Sequence, residues 1–240
     1  MEAKRTEKNY QGTELELFAD AINWKSYWSK SLKQYAAGTV IEVGAGIGSS
    51  TRYICANSDV DRCVCLEPDP NFAVHLSSLI STGFLPNYCE IRSGILSDLP
   101  KDVQADAIFY VDVLEHIEND VEEVAIAATH LVHGGRLVVL SPAFGWLYTP
   151  FDKAIGHHRR YSRKDVKQLT APGLEVERVF FLDSVGMLLS MANRFMLRSE
   201  TPTAGQIKFW DRNIVPISTY VDRVFGSIGG RSIVIIWKKK

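Results

Sequence analysis

Apolar residues along this chain keep two rhythms. Leu15, Leu17, Phe18, Ile22, Trp24, Tyr27, Trp28 and Leu32 recur at helical spacing, which predicts one or two helices over residues 13–37. Their aromatic rings suit either a core-facing helix or a lid. After Gly38 the pattern shortens. The runs "TVIEV", "RCVCLEP", "NYCEIRSG", "ADAIFYVDV" and "GRLVVLSP" read as five strands. Helices are predicted from about Gly48 to Asn57, over 70–81 behind a cap at Asp69 or Asn71, and from about Asp120 to Val132, ending at Gly134-Gly135. Short apolar strands alternating with helices predict an α/β fold whose parallel sheet is buried on both faces.

Beyond Pro142 the alternation stops. Residues 142–162 form a long connection rich in aromatic and charged side chains, and connections of that length inside a domain are usually functional. A helix at about Ser162–Leu169, a strand at Leu174–Leu182, an apolar helix over 183–199, a helix at about Ile217–Phe225 and a last strand, "RSIVIIWK", complete the prediction. The expected organisation is a tail and helical lid over 1–37, followed by a single domain over 38–240. That domain carries an insert at about 142–162 and a helical segment at about 183–226.

Composition narrows the classes. With 240 residues, 46% hydrophobic, the chain can bury one sizeable core. A formal charge of −1 argues against an extended nucleic-acid partner. Residues 1–8 are polar and no apolar window reaches the roughly 18 residues of a membrane span, so the expected location is cytoplasmic. None of Cys55, Cys63, Cys65 and Cys89 forms a C-x-x-C pair, and reduced core thiols are expected.

The candidate chemistry begins at "VIEVGAGIGSST", where Gly44, Gly46 and Gly48 follow a strand. Glycines there let the backbone approach a ligand closely. The dinucleotide fingerprint needs glycine at position 49, where this chain has Ser49, and no P-loop lysine follows. Glu67 ends the second strand, placed to accept hydrogen bonds from ribose hydroxyls. Glu42 is an acid inside an apolar strand, which is costly unless paired. It is expected to orient the loop or meet a cation.

"VIEVGAGIG", the acid in "CLEPD", "DAIFYVDVLEHI" and "HGGRLVVLSP" together resemble the successive motifs of class I S-adenosylmethionine-dependent methyltransferases, over roughly residues 38–145. The resemblance implies a doubly wound, seven-stranded, mostly parallel sheet with an antiparallel last hairpin. It implies S-adenosylmethionine as cofactor, with Glu42, Gly44, Ala45, Gly46 and Gly48 around its methionine and sugar. Glu67 and Pro68 would stand at the ribose, and Val111 and Asp112 at the methionine part. Many relatives carry Gly-Asp after the third strand. Here Ser93-Gly94-Ile95-Leu96 stands instead, so the resemblance implies adenine held by backbone and apolar contacts around Gly94, Ile95 and Leu96. Asp98 is a weak substitute for the missing acid.

Acceptor-side candidates follow the fourth and fifth strands. His116 in "VDVLEHIEND" reads as a packed or capping histidine or as a general base. Asp112, Glu115 and His116 resemble a metal-binding stretch in some relatives that methylate quinone precursors, but no metal is expected here. In "FGWLYTPFDKAIGHHRRYSRKD", His157 and His158 are candidate bases. Trp146, Tyr148, Asp152, Arg159, Arg160 and Tyr161 are candidate acceptor contacts. Residues 157–168 carry five Arg/Lys against one acid, a local patch suited to an anionic group. The stretch is also similar to a subgroup whose members accompany sugar-transferring enzymes, which implies a small-molecule, glycan or lipid-linked acceptor methylated at oxygen. Alternatives at this stage are a nucleotide- or NAD-binding oxidoreductase, for which no Tyr-x-x-x-Lys pair is present, and a non-catalytic binding partner. The helix over 183–199 reads as core, or as a substrate wall. With Lys238–Lys240 it could make a weak peripheral membrane contact.

Overall fold

A computed structural model of the protein describes residues 14–57, 59–192 and 202–240. Its strands are β1 (Gly38–Val43), β2 (Val60–Glu67), β3 (Cys89–Ser93), β4 (Ala105–Val111), β5 (Leu131–Pro142), β6 (Leu174–Leu182) and β7 (Ser232–Lys239). They pair in the order β3-β2-β1-β4-β5-β7-β6. The first five run parallel to one another, and β7 runs antiparallel to both β5 and β6. This is the doubly wound sheet with an antiparallel final hairpin that the pattern and the resemblance led us to expect.

The helices are α1 (Glu14–Ala19), α2 (Ile22–Leu32), α3 (Thr51–Ile54), α4 (Pro70–Ser81), α5 (Asp120–Thr129), α6 (Pro150–Ala154), α7 (Val166–Leu169), α8 (Ser184–Ala192), α9 (Ala204–Phe209) and α10 (Val215–Phe225). Alternate strand residues face opposite layers. Val40, Cys63, Cys65, Phe109 and Val138 pack with Trp28 and Leu32 of α2. Ile41, Val64, Ile108 and Val139 pack on the other side with Val124 of α5 and Val166 of α7. Helix α2 is therefore part of the core. All four cysteines are buried free thiols.

Several boundaries moved. The helix expected up to Asn57 is the single turn α3, because buried Asn57 instead donates to the carbonyls of Lys33 and Ala36, at 2.9 and 2.6 Å. Gly134 and Gly135 do not end a helix. They lie within β5, which starts at Leu131 and shifts register against β4 between Ala105 and Ala107. Asp69, not Asn71, caps α4, accepting from the Asn71 amide at 2.8 Å. Helix α9 was not anticipated, although Thr203 and Gln206 form its capping box, and a wide π turn (Trp210–Ile214) joins it to α10. Residues 193–199 of the expected helix lie outside the described residues.

One buried acid ties this C-terminal layer together. Asp183 is fully buried at φ 64° and accepts from Trp210 Nε1 (2.7 Å), Ser218 Oγ (2.6 Å) and the Gly186 amide (3.0 Å). Asp183→Ala would leave these donors unpaired. We expect a loss of about 3 kcal/mol in stability, read by urea denaturation. An unchanged midpoint would show that the donors find other partners.

Candidate active site

The sheet order reverses between β1 and β4, and in open α/β sheets the carboxyl ends of strands at such a point border a crevice. A cavity of about 880 Å³ lies there. Three of the strand ends beside it turn away through left-handed residues: Gly44 (φ 72°), Asp112 (φ 55°) and Phe144 (φ 62°). Such a conformation in Asp112 and Phe144 is strained, and strain of that kind concentrates at functional sites.

The loop glycines divide the labour. A Cβ on Gly44 would lie 2.7 Å from Val113 Cγ2, and one on Gly48 would lie 2.9 Å from Leu76 Cδ2. The left-handed backbone at both, φ 72° and 76°, adds its own preference for glycine to that crowding. At Gly46 a Cβ would meet only the Leu15 side chain, at 3.5 Å, so this position keeps space open in the cavity wall. Its amide donates to Glu67 Oε2 at 2.7 Å, and Glu67 Oε1 accepts from the Asp69 amide at 2.9 Å. Glu67 is thereby locked at the cavity edge, where burial pushes its pKa above the usual carboxylate range.

Deeper in, Asp112 opens onto the cavity while the surrounding protein shields it from bulk water. Burial raises its pKa to about 6, against the opposing influence of His157, Arg231 and Lys25. Lys25 of α2 is buried, with its ammonium on the carbonyls of Phe18 and Ala19, and burial lowers its pKa to about 8. Arg231 lies with its guanidinium over the Trp210 ring, 4.6 Å from the centroid. No carboxylate among the described residues stands within ion-pairing distance of it.

On the acceptor side, Asp152 is the organising group. It accepts from Arg160 Nε and Nη2, each at 2.9 Å, and from the amide and hydroxyl of Thr149, each at 2.7 Å. His157 Nδ1 stands 3.0 Å from its Oδ1. Burial acts to raise the Asp152 pKa, but the hydrogen bonds from His157 and Arg160 win and hold it well below the usual range. His157 Nε2 lies 3.8 Å from Glu115 Oε1. Glu115 is fully buried, its Oε2 accepts from Ser141 Oγ at 2.8 Å, and burial next to Asp112 raises its pKa strongly. His116 packs edge-on against His157, and burial lowers its pKa to about 4.

Of the residues singled out in the sequence, the cavity brings together Gly44, Ala45, Gly46, Glu67, Pro68, Val111, Asp112, His116, Asp152, His157, His158 and Arg160. Others lie outside its lining. Glu42 points beneath the loop, near the Cys63 and Cys65 thiols, and burial raises its pKa to about 8. Gly48 packs on α4, and Leu96 is core. The Gly94 amide donates to the Glu67 carbonyl at 3.0 Å, which sets Gly94 and exposed Ile95 at the outer rim. Arg159 is spent on Asp120 (2.6 Å) and the Glu118 carbonyl. Tyr161 is buried, with its hydroxyl on Asp120 at 2.9 Å. The Tyr148 hydroxyl donates to the His157 carbonyl at 2.6 Å and so supports the loop from behind. Trp146 lies half-exposed beside Phe144. Lys25, Phe72, Trp210, Arg231 and Ser232 line the cavity without having been singled out as site residues.

Residues 41–139 match the family model of a methyltransferase domain. That match and this architecture give the chain a methyltransferase domain on the class I methyltransferase fold. The oxidoreductase alternative falls away. Among solved structures, geranyl diphosphate C-methyltransferase from Streptomyces coelicolor A3(2) is similar at TM-score 0.64 and 14% identity, over 99% of this chain and 90% of that one. An S-adenosylmethionine-dependent methyltransferase from Clostridium acetobutylicum ATCC 824 gives 0.56 and 11%, over 92% of each chain. The [4+2]-cyclase SpnF gives 0.61 and 12%, over 95% and 94%. At these identities the likeness establishes the fold. No curated protein matches the sequence.

The cavity suits the cofactor. S-adenosylmethionine carries a diol, an ammonium and a carboxylate, and the cavity offers the locked Glu67, the Asp112 carboxyl and the Lys25 and Arg231 cations beside the open space at Gly46. Its volume leaves room for an acceptor as well. Glu67→Ala is expected to weaken cofactor binding about a hundredfold by calorimetry, since it removes a charged acceptor and frees the Gly46 amide. Equal binding by the variant would remove Glu67 from the site.

Proposed function

We propose that this methyltransferase acts on a hydroxyl of a small, anionic, saccharide-type acceptor, with His157 as the general base. The observation that carries this reading is the Asp152–His157 pair in the cavity wall. Methyl transfer to a hydroxyl must dispose of a proton, whereas many carbon and amine acceptors have no such need at the same step. When bound, S-adenosylmethionine supplies an electrophilic methyl group on a sulfonium. The chain's residues have to orient the acceptor, exclude water and take its proton.

Asp152 holds the proton of His157 on Nδ1 and leaves Nε2 free to accept one from the acceptor. The imidazolium that results is stabilised by the same carboxylate, which Arg160 and Thr149 keep ionised and fixed. Arg231, stacked on Trp210 and without a carboxylate partner among the described residues, is the group suited to an acceptor anion. It takes over the role that the sequence suggested for Arg159, which is already paired. The saccharide character of the acceptor is supported by the sequence resemblance alone. Glu67 and Asp112 are assigned to the cofactor's ribose and ammonium.

His157→Ala is expected to lower kcat at least a hundredfold at saturating cofactor while leaving cofactor affinity within about twofold. Full turnover by the variant would sink the base assignment. A pH dependence follows from Asp112. Its carboxyl must be ionised to meet an ammonium, and its pKa is raised to about 6. Cofactor affinity should therefore fall as pH drops through about 6, and Asp112→Asn should weaken binding and flatten that profile. A wild-type affinity that does not change between pH 5 and pH 7.5 would refute the pairing.

A further inference from the structure

Among the described residues, eight of the fifteen exposed large hydrophobic side chains fall between Leu188 and Ile228. That concentration is not scatter. In α10, Ile217, Tyr220 and Val224 recur at i, i+3 and i+7, and Ile228 continues the stripe at i+11. Their exposures run from 50% to 72%. The opposite side of the same helix buries Val215 and Ser218, so the helix presents an apolar stripe outward. Helix α8 packs beside α10 and adds Leu188 and Leu189, 59% and 42% exposed. Contiguous apolar surface of this kind marks an interaction site.

Cations outnumber acids around it. In the described part of residues 183–228 the acids are Asp183, Asp211 and Asp222. The first two are buried, and Asp222 accepts from the Tyr27 hydroxyl (2.7 Å) and the Ser184 amide (3.0 Å). Lys208, Arg212 and Arg223 are exposed. A groove of about 770 Å³ runs between α2, α10 and the edge strand β6, and brings Lys30 and Arg178 up to Arg223 and Tyr220. Apolar side chains outward, cations at the border and acids either buried or held by hydrogen bonds form the pattern of a surface that lies in a bilayer interface.

We propose that the α8–α10 face docks reversibly on the surface of an anionic lipid bilayer. The contact is interfacial, for no helix among the described residues is long and apolar enough to cross a membrane. Phe209, 57% exposed, belongs to the same layer, and its neighbour Trp210 lines the cavity. A docked molecule therefore holds its cavity wall within a few residues of the lipid surface. This inference is independent of the acceptor chemistry proposed above, since it needs neither His157 nor Arg231.

The test is co-sedimentation of the full chain with vesicles of equal phosphatidylglycerol and phosphatidylcholine, and with vesicles of phosphatidylcholine alone. We expect binding to the anionic vesicles, weakened by salt, and little to the neutral ones. The double variant Tyr220→Glu with Val224→Glu should lose that binding, and Arg223→Gln should reduce it about fivefold. These side chains are exposed, so the thermal midpoint and cofactor affinity of the variants should match wild type; the comparison is made on variants that meet that standard, including Leu189→Glu as a second site. Absence of binding to anionic vesicles, or equal binding by the glutamate variants, overturns the proposal. So does a stable dimer in sedimentation that Val224→Glu splits, because the face would then belong to a second copy of the chain.

Discussion

The site depends on one constraint, the reversal of strand order at β1 and β4. The chain fills the sheet outward through β2 and β3, then returns to the other side of β1 for β4 and β5. The connections after β1 and β4 leave toward opposite layers, so neither covers the space between them. The strand ends must then turn sharply, which is why Gly44 and Asp112 have positive φ. For Asp112 that backbone costs about 1–3 kcal/mol. The fold tolerates this because Asp112 is anchored from the other side, its amide donating to the Leu140 carbonyl at 2.8 Å.

Within the crevice three carboxyl groups share a small volume and meet different fates. Asp152 collects four charged or polar donors plus His157 and stays ionised. Glu115 has Ser141 on one oxygen and no hydrogen-bond partner on the other among the described residues, and burial beside Asp112 pushes its pKa up. Asp112, open to the cavity, has its pKa raised by burial to about 6. Environments that drive neighbouring acids apart in this way separate their roles. Asp152 orients His157, and Asp112 opens its carboxyl onto the cavity.

The legible part of this arrangement was its local part. The glycine spacing, the strand-end acid Glu67 and the apolar runs are short-range signals, and each survives in the structure because a turn or a pleat enforces it within a few residues. The Asp152–His157 pair was half visible, five residues apart in one loop, but nothing in the sequence said that Arg160 would lock onto Asp152 while Arg159 turned to Asp120. Adjacent side chains on an irregular loop point in different directions, and no periodicity reports which. Lys25 and Arg231 were out of reach for another reason. They converge from opposite ends of the chain, and only the packing of α2 and β7 against the central strands brings them together. Glu42 lies outside the cavity lining because strand alternation sets it beside the buried thiols of Cys63 and Cys65.

Helix α10 shows the limit of pattern reading most clearly. Its apolar residues repeat with a clean helical period, and the usual inference from such a period is a stripe turned to the core. Here the stripe Ile217, Tyr220, Val224 faces outward, while Val215, Ser218 and Gly226 face the sheet. Periodicity establishes that a helix has two faces and leaves open which one the protein keeps. The inner face was settled by Asp183, which draws Ser218 and Trp210 inward by hydrogen bonds that no hydropathy pattern contains. With Ser218 drawn to the core by Asp183, the stripe of Ile217, Tyr220 and Val224 had only the surface left to it.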